Sequence, residues 1–260
     1  MRSSPATQRE LPHAWWVLGQ AGLVALGVVV YFGIRGLTES SVGVAIDHAT
    51  AIMRFERDLG IDIETTLQAP VTNSELLETL ANWVYIWGHW PVIIVTMLWL
   101  AWRHHDTFRR LRDGMLVSGA MGMAIFVTYP VAPPRLVSAD LVDTVTESSH
   151  AYRVLQPPAF VNQYAAMPSL HAGWDLLVGI AVVSAAGSLF VRVLGAAMPM
   201  MMAYAVVATA NHYVVDVIAG VALVLIGHLV ALRLEARRRR RWLERAPAPC
   251  PDEVRTPERA

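Results

Sequence analysis

The sequence predicts an all-α integral membrane protein, a six-transmembrane-helix bundle with an amphipathic outer-face helical segment between helices 1 and 2. Composition is the first observation: 55% of the 260 residues are hydrophobic and only 16% are charged, with a mean hydropathy of +0.41. Soluble domains carry more charge. The second is a set of apolar runs near the roughly 20 residues that cross a bilayer. The third is the clustering of arginines between alternate runs.

The apolar runs divide the chain. They lie at residues 14–34, 80–102, 115–131, 170–186, 190–210 and 214–232. The first run is read as a retained helix, because no small-residue cleavage site follows it. The predicted chain has an N-terminal tail (1–13), a first transmembrane helix (14–34), an extracytoplasmic segment (35–79), a transmembrane core (80–234) and a tail rich in Arg and then in Pro (235–260).

Arginine placement predicts the orientation of the bundle. Arg103, Arg109, Arg110 and Arg112 fall between the second and third runs, and Arg237–Arg241 follows the sixth. Cytoplasmic loops of membrane proteins are rich in basic residues. We therefore expect a multi-pass protein of the cell membrane with both termini in the cytoplasm.

The segment 36–78 has its own pattern. Apolar residues such as Ile52, Phe55 and Leu59 recur at near-helical spacing among charged residues such as Arg54 and Asp58. This pattern is typical of amphipathic helices that lie on a membrane surface. The segment is interpreted either as a structural collar or as an element that recruits substrate.

Composition also limits the chemistry. The formal net charge is zero, which gives no basic surface for nucleic acid, and all 21 basic residues are Arg. Without lysine, the chain has neither a Schiff-base lysine nor a P-loop lysine. The single cysteine, Cys250, lies in the polar tail, so one chain can form neither a disulfide framework nor a cysteine-based metal site.

Ionisable residues at membrane depth are functional candidates, and the strongest group begins the sixth run. His212 and Asp216 are four residues apart, so in a helix they share one face. A carboxylate in that position can hold an imidazole in one tautomer and stabilise its cation. The alternative is a helix-end pair in which the two residues simply satisfy each other.

A second group begins the fourth run. Pro168 suits the first turn of a helix, and the free N–H groups of that turn, with the Ser169 hydroxyl, can bind an anion. His171 projects from the same turn. Asp175, one turn deeper, either pairs with His171 or is buried with another polar group. The alternative is a capped helix start with an interfacial histidine.

A third group, Tyr129–Arg135, ends the third run. Its prolines, at 130, 133 and 134, stop the helix and stiffen the exit. Arg135 follows them, and a forked guanidinium suits a phosphate clamp. A lone arginine beyond a membrane helix is otherwise an interfacial anchor. The predicted topology, however, brings all three groups to one membrane face.

In this order and topology, the three groups resemble the motifs of the type 2 phosphatidic acid phosphatase superfamily, over about residues 75–232. The phosphatase branch usually has Lys where Thr128 stands, and Ser-Arg where Ala205 and Val206 stand. The motif spellings of this chain are instead similar to the inositol-phosphorylceramide synthase and sphingomyelin synthase branch, whose bacterial relatives are inositolphosphotransferase-like.

The resemblance implies a transfer through a phosphohistidine, with His212 as nucleophile oriented by Asp216 and His171 as acid and base. It implies no metal and no cofactor. The residues expected to bind substrate are Arg135, Ser169, Tyr129, His89, Tyr213 and Asn162. Asn82, Tyr85 and His89 also look like that branch, although His89 is equally interpretable as a polar member of an aromatic belt with Trp83, Trp87 and Trp90.

Two activities fit this resemblance, both with a membrane lipid phosphate as donor and with the active site on the extracytoplasmic face. An inositol-like alcohol acceptor gives a phosphotransferase. Water gives a phosphatase of the phosphatidic acid or polyprenyl phosphate type. A third hypothesis is a non-catalytic transporter or scaffold. Transporters often show internal repeats, whereas this sequence shows none and collects its polar residues at one face.

Overall fold

The computed structural model describes residues 42–148 and 163–245, together with residues 19, 22 and 26. Within the two long stretches the backbone forms nine α-helices and a short 3₁₀ turn at Pro134–Leu136. In chain order the helices are α1 (Val42–Leu59), α2 (Glu64–Thr72), α3 (Glu75–Trp87), α4 (Trp90–Arg103), α5 (His105–Thr128), α6 (Thr144–Ser148), α7 (Leu170–Ala185), α8 (Leu189–Ala208) and α9 (Val214–Arg245). The all-α prediction is confirmed for these residues.

Three described helices, α5, α8 and α9, are long and apolar enough to cross a membrane, and α3 with α4 makes a fourth if the bent pair is one span. The 16 residues of α7 extend roughly 24 Å, less than the 30 Å of a bilayer core. The first predicted span lies almost wholly outside the described residues. The count of six spans stays a prediction.

The second predicted span, 80–102, is broken. Helix α3 ends at Trp87, α4 begins at Trp90, and their axes differ by 45°. Pro91 explains the break, because inside a continuous helix its ring would clash with the carbonyl four residues earlier. In the first turn of α4 it is tolerated, so the chain restarts there and His89 lies at the corner.

Helix α9 continues beyond its predicted span and carries the arginine run as far as Arg245. The predicted boundary at 235 is therefore not a structural boundary. At the end of the bundle away from His212, Arg110 donates two hydrogen bonds to Glu235, of 2.8 and 3.1 Å. Arg238 pairs with Asp113 at 2.7 Å. These pairs tie α5 to α9.

The centre of the bundle is α7, which packs against α5, α8 and α9. Small residues allow the backbones to approach closely, as in other membrane helices. A Cβ atom at Gly220 of α9 would lie 2.1 Å from the carbonyl oxygen of Ser169. The start of α7 is thus held directly against α9.

Candidate active site

His212 lies in the turn between α8 and α9, with its imidazole fixed by a backbone carbonyl. Its Nδ1 is 2.7 Å from the carbonyl oxygen of Ala166 and 3.5 Å from Oδ2 of Asp216. A carbonyl oxygen can only accept, so Nδ1 carries the hydrogen. In the neutral ring this is the tautomer with its lone pair on Nε2.

Asp216 is completely buried beside this imidazole. Its Oδ2 accepts the backbone N–H of Tyr213 at 2.9 Å, and its main-chain carbonyl accepts the N–H of Ser169 at 2.9 Å. Its other carboxylate oxygen, Oδ1, has no hydrogen-bond partner among the described residues. Asp216 thus shares the orientation of His212 with the carbonyl of Ala166, which sequence reasoning had not identified.

His171, on the first turn of α7, stands among aromatic rings. Its ring centroid is 5.9 Å from that of His212, 4.3 Å from that of His89 and 4.9 Å from that of Tyr85, on which it stacks. Two motifs and the corner of the broken α3–α4 pair therefore meet at one point.

His89 forms a second histidine–carboxylate pair. Its Nδ1 is 2.8 Å from Oδ1 of Asp175, and both side chains are buried. Of the two alternatives for Asp175, the structure supports burial with another polar group, because its carboxylate bonds His89 and not His171. His89 contacts Trp90 and Trp174 edge-on and face-on, so it is both a member of the aromatic cluster and a neighbour of His171.

Arg135, in the 3₁₀ turn, is close to His212 in space. Its backbone N–H donates to the carbonyl oxygen of Ala210 at 3.1 Å, and its guanidinium donates to the side-chain oxygen of Asn211. Nε lies 3.1 Å from Oδ2 of Asp143. Asp143 and Asn211, neither of them predicted as site residues, therefore fix the direction of the guanidinium.

The other predicted substrate-binding residues are placed as follows. Ser169 is fully buried and its hydroxyl caps α7 by accepting from Ala172 at 3.4 Å. The Tyr213 hydroxyl donates to the carbonyl of Ala132 at 3.1 Å. Tyr129 stacks on His48 with 3.8 Å between centroids. Asn162 lies outside the described residues.

Helices α1 and α2 contact the motifs directly. The carbonyl of Ala45 accepts the N–H of Ala132 at 3.1 Å, and Nδ1 of His48 lies 2.8 Å from the carbonyl of Pro130. Glu56 and Glu64 accept backbone N–H groups of α9. These contacts support the collar interpretation of this segment. The signal for Glu56 is present in the sequence, since it continues the helical stripe of the buried residues Ala45, Ala49 and Ile52.

Comparison with known proteins places the chain in a family. The model of the PAP2 superfamily matches residues 50–230. The fold is similar to that in the crystal structure of Aquifex aeolicus LpxE, with a TM-score of 0.51 and 14% sequence identity, over 66% of this chain and 94% of that chain. No curated protein matches the sequence.

The family match spans well over half of the chain and includes all three motifs as well as α3 and α4. Its reach to residue 50 also takes in Glu56 and Glu64. At 14% identity, the likeness to LpxE bears on the fold, which it supports across most of the described helices. The chain therefore belongs to the PAP2 superfamily and is a membrane enzyme of the phosphatase and phosphotransferase type.

Proposed function

We propose that the protein transfers a phosphoryl or phospho-head group from a membrane lipid to an alcohol acceptor such as inositol, through a phosphohistidine on His212. The observation that carries this proposal is the hydrogen bond from Nδ1 of His212 to the Ala166 carbonyl. In the neutral imidazole this bond places the lone pair on Nε2, which a nucleophile requires. The second histidine of the same cluster, His171, supplies the acid and base.

In the first step Nε2 of His212 attacks phosphorus and the bond from phosphorus to the lipid oxygen breaks. His171, protonated, gives its proton to the departing oxygen. In the second step His171 takes a proton from the acceptor hydroxyl, whose oxygen attacks phosphorus. The phosphorus–nitrogen bond then breaks, and both histidines return to their starting states. Asp216, 3.5 Å from Nδ1, stabilises the positive charge that His212 carries as a phosphohistidine.

Charge on the phosphoryl oxygens needs cations, and this chain lacks two that are usual in related phosphatases. Thr128 stands at the lysine position, is exposed and donates its hydroxyl to the carbonyl of Ala124. Arg135 and His89 are the available replacements. Arg135 is oriented by Asp143, and a protonated His89 would be stabilised by Asp175. Both can stabilise negative charge in the transition state.

Hydrolysis is the second candidate activity, since water in place of the alcohol gives a lipid phosphate phosphatase. Membership of the PAP2 superfamily favours it, whereas the motif spellings favour transfer to an alcohol. We also propose that the site lies on the extracytoplasmic face of the cell membrane, with both termini in the cytoplasm. The arginines of α9 at the end away from His212 support this orientation.

The test uses purified protein in detergent with phosphatidic acid, a polyprenyl phosphate or a glycerophospholipid as donor, each with and without inositol. Products are identified by mass spectrometry. An inositol-containing phosphoester formed only with inositol supports transfer; phosphate release that is independent of inositol supports hydrolysis. The variant His212→Ala is expected to lose turnover and the acid-labile phosphorylated intermediate while it unfolds at the wild-type temperature. Turnover by that variant would exclude His212 as the nucleophile.

A further inference from the structure

Two buried glutamates lie outside the catalytic motifs. Glu56 on α1 is 1% exposed and Glu64 on α2 is 7% exposed. A buried carboxyl group is costly unless hydrogen bonds satisfy it. The mechanism above uses neither residue, so the contacts that satisfy them indicate what they do.

Both side chains cap the helix that follows His212. Oε1 of Glu56 accepts the N–H of Val215 at 2.7 Å, and Oε1 of Glu64 accepts the N–H of Val214 at 3.1 Å. The preceding N–H, of Tyr213, goes to Asp216. Three successive backbone donors at the start of α9 thus have carboxyl partners. The first N–H groups of a helix lack partners within it and attract negative charge.

Helix caps usually come from residues near the helix in sequence, whereas these two come from about 150 residues away. Helices α1 and α2 are thereby attached to the turn that holds His212. Ala45 and His48 attach the same helix, α1, to the segment Tyr129–Arg135. Displacement of α1 would move His212 relative to Arg135.

We propose that Glu56 and Glu64 are positioning residues that hold the first turn of α9 so that His212 stays between the Ala166 carbonyl and Asp216. The inference rests on the proposed role of His212. It assigns to the amphipathic segment a part in catalysis without contact with substrate.

The groups that face Glu56 favour its protonated form. Burial raises the pKa of Glu56 to about 8, and a hydrogen bond with Glu64 and the charges of Glu64 and Asp216 act in the same direction, against the N–H of Val215. The phenol of Tyr213 also faces this cluster. Below about pH 8 Glu56 therefore holds its proton. Loss of this proton would place a further negative charge beside a site for an anionic phosphate.

Because the folded protein holds the Glu56 proton more tightly than the unfolded chain does, the pH dependence of unfolding tests this residue without any substrate. The folded protein keeps the Glu56 proton at a pH where the unfolded chain, with a carboxyl pKa near 4.5, has lost it. The contribution of Glu56 to stability is therefore complete below about pH 4.5 and is lost as the pH rises towards 8. Glu56→Gln keeps an oxygen for Val215 and an N–H for Glu64 but does not titrate.

The experiment compares wild type, Glu56→Gln, Glu56→Ala, Glu64→Gln and the control Asp58→Ala, an exposed carboxylate on the same helix. Thermal unfolding is followed from pH 4.5 to 9, and turnover of short-chain phosphatidic acid is followed over the same range. We expect the unfolding temperature of Glu56→Gln to depend less on pH than that of wild type. We expect its kcat to be within about threefold of wild type at pH 7 and to decline less above pH 8.

Glu56→Ala is expected to lose about ten- to a hundredfold in kcat, with KM changed by less than about threefold, since the perturbation displaces the nucleophile. A Glu56→Gln protein with the wild-type pH dependence of unfolding overturns the role of Glu56 as a protonated cap of α9, whether or not Glu56→Ala folds. A folded Glu56→Ala protein with wild-type kcat overturns the positioning role. His212→Ala is assayed beside them: turnover by that variant refutes the proposed function, whereas an inactive His212→Ala with an active Glu56→Ala refutes the positioning role alone.

Discussion

Replacement of Gly220 by alanine should separate His171 and His212, the two histidines proposed to act in catalysis. Gly220 lies on α9, one turn after Asp216, and faces the start of α7. A Cβ atom there would lie 2.1 Å from the carbonyl oxygen of Ser169 and 2.9 Å from its carbonyl carbon. Both neighbours are backbone atoms, so no side-chain rotation can relieve the contact.

The structure sets the size of the effect. Carbon and oxygen atoms in van der Waals contact are at least about 3.2 Å apart, so α7 and α9 must separate locally by about 1 Å. The hydrogen bond from the Ser169 N–H to the Asp216 carbonyl, 2.9 Å long, crosses the same contact. Misplacement by about 1 Å can cost 10²-fold in rate. Overpacking costs about 1–3 kcal/mol of stability.

We therefore expect Gly220→Ala to reduce kcat by about a hundredfold and to lower the unfolding temperature in detergent. Turnover of the lipid phosphate and thermal unfolding are the two measurements. The matched control is Gly187→Ala, between α7 and α8, where an added Cβ atom would meet nothing within 4 Å. A Gly220→Ala protein with wild-type kcat would refute the close contact of α7 with α9 as a determinant of catalysis.

Two further substitutions test the cations of the site. Arg135→Lys keeps the charge but loses the fork that bonds Asp143 and Asn211 together; kcat/KM should fall by about tenfold or more, and a wild-type value would show that charge alone suffices. Asp175→Asn keeps an acceptor for His89 but removes the buried charge. Its kcat/KM should fall by about tenfold, or about 1.4 kcal/mol, and equal pH–rate profiles for this variant and wild type would contradict a cationic His89.

The parts of the fold that were predicted from sequence are those set by local patterns. The helices α5, α8 and α9 follow long apolar runs, and α1 follows an amphipathic repeat. The break between α3 and α4 has a local cause in Pro91, but the run around it is apolar throughout, so composition alone indicates one span. The described residues confirm a helical membrane fold, and the number of spans stays a prediction.

The sequence predicts those residues of the candidate site whose own side chains can carry out the chemistry. His171, His212 and Asp216 meet around one point, as the motifs indicate. The Ala166 carbonyl was not predictable, because a backbone acceptor leaves no trace in residue type. Asp143 pairs with Arg135 and Asp175 pairs with His89 because the fold brings them together. The spacing of these residues along the chain does not indicate either pair.

The pairing of Asp175 with His89 rather than with His171 has a consequence for catalysis. In the proposed mechanism His171 gives up and takes back a proton in successive steps, and a buried carboxylate bonded to it would favour its cationic form throughout. In the structure its ring is flanked by Tyr85 and His89 and no carboxylate bonds it among the described residues. The two carboxylates lie instead beside His89 and His212, the histidines that would carry positive charge during transfer. With both carboxylates beside other histidines, the proton of His171 is free to move in both directions, as the proposed acid–base exchange requires.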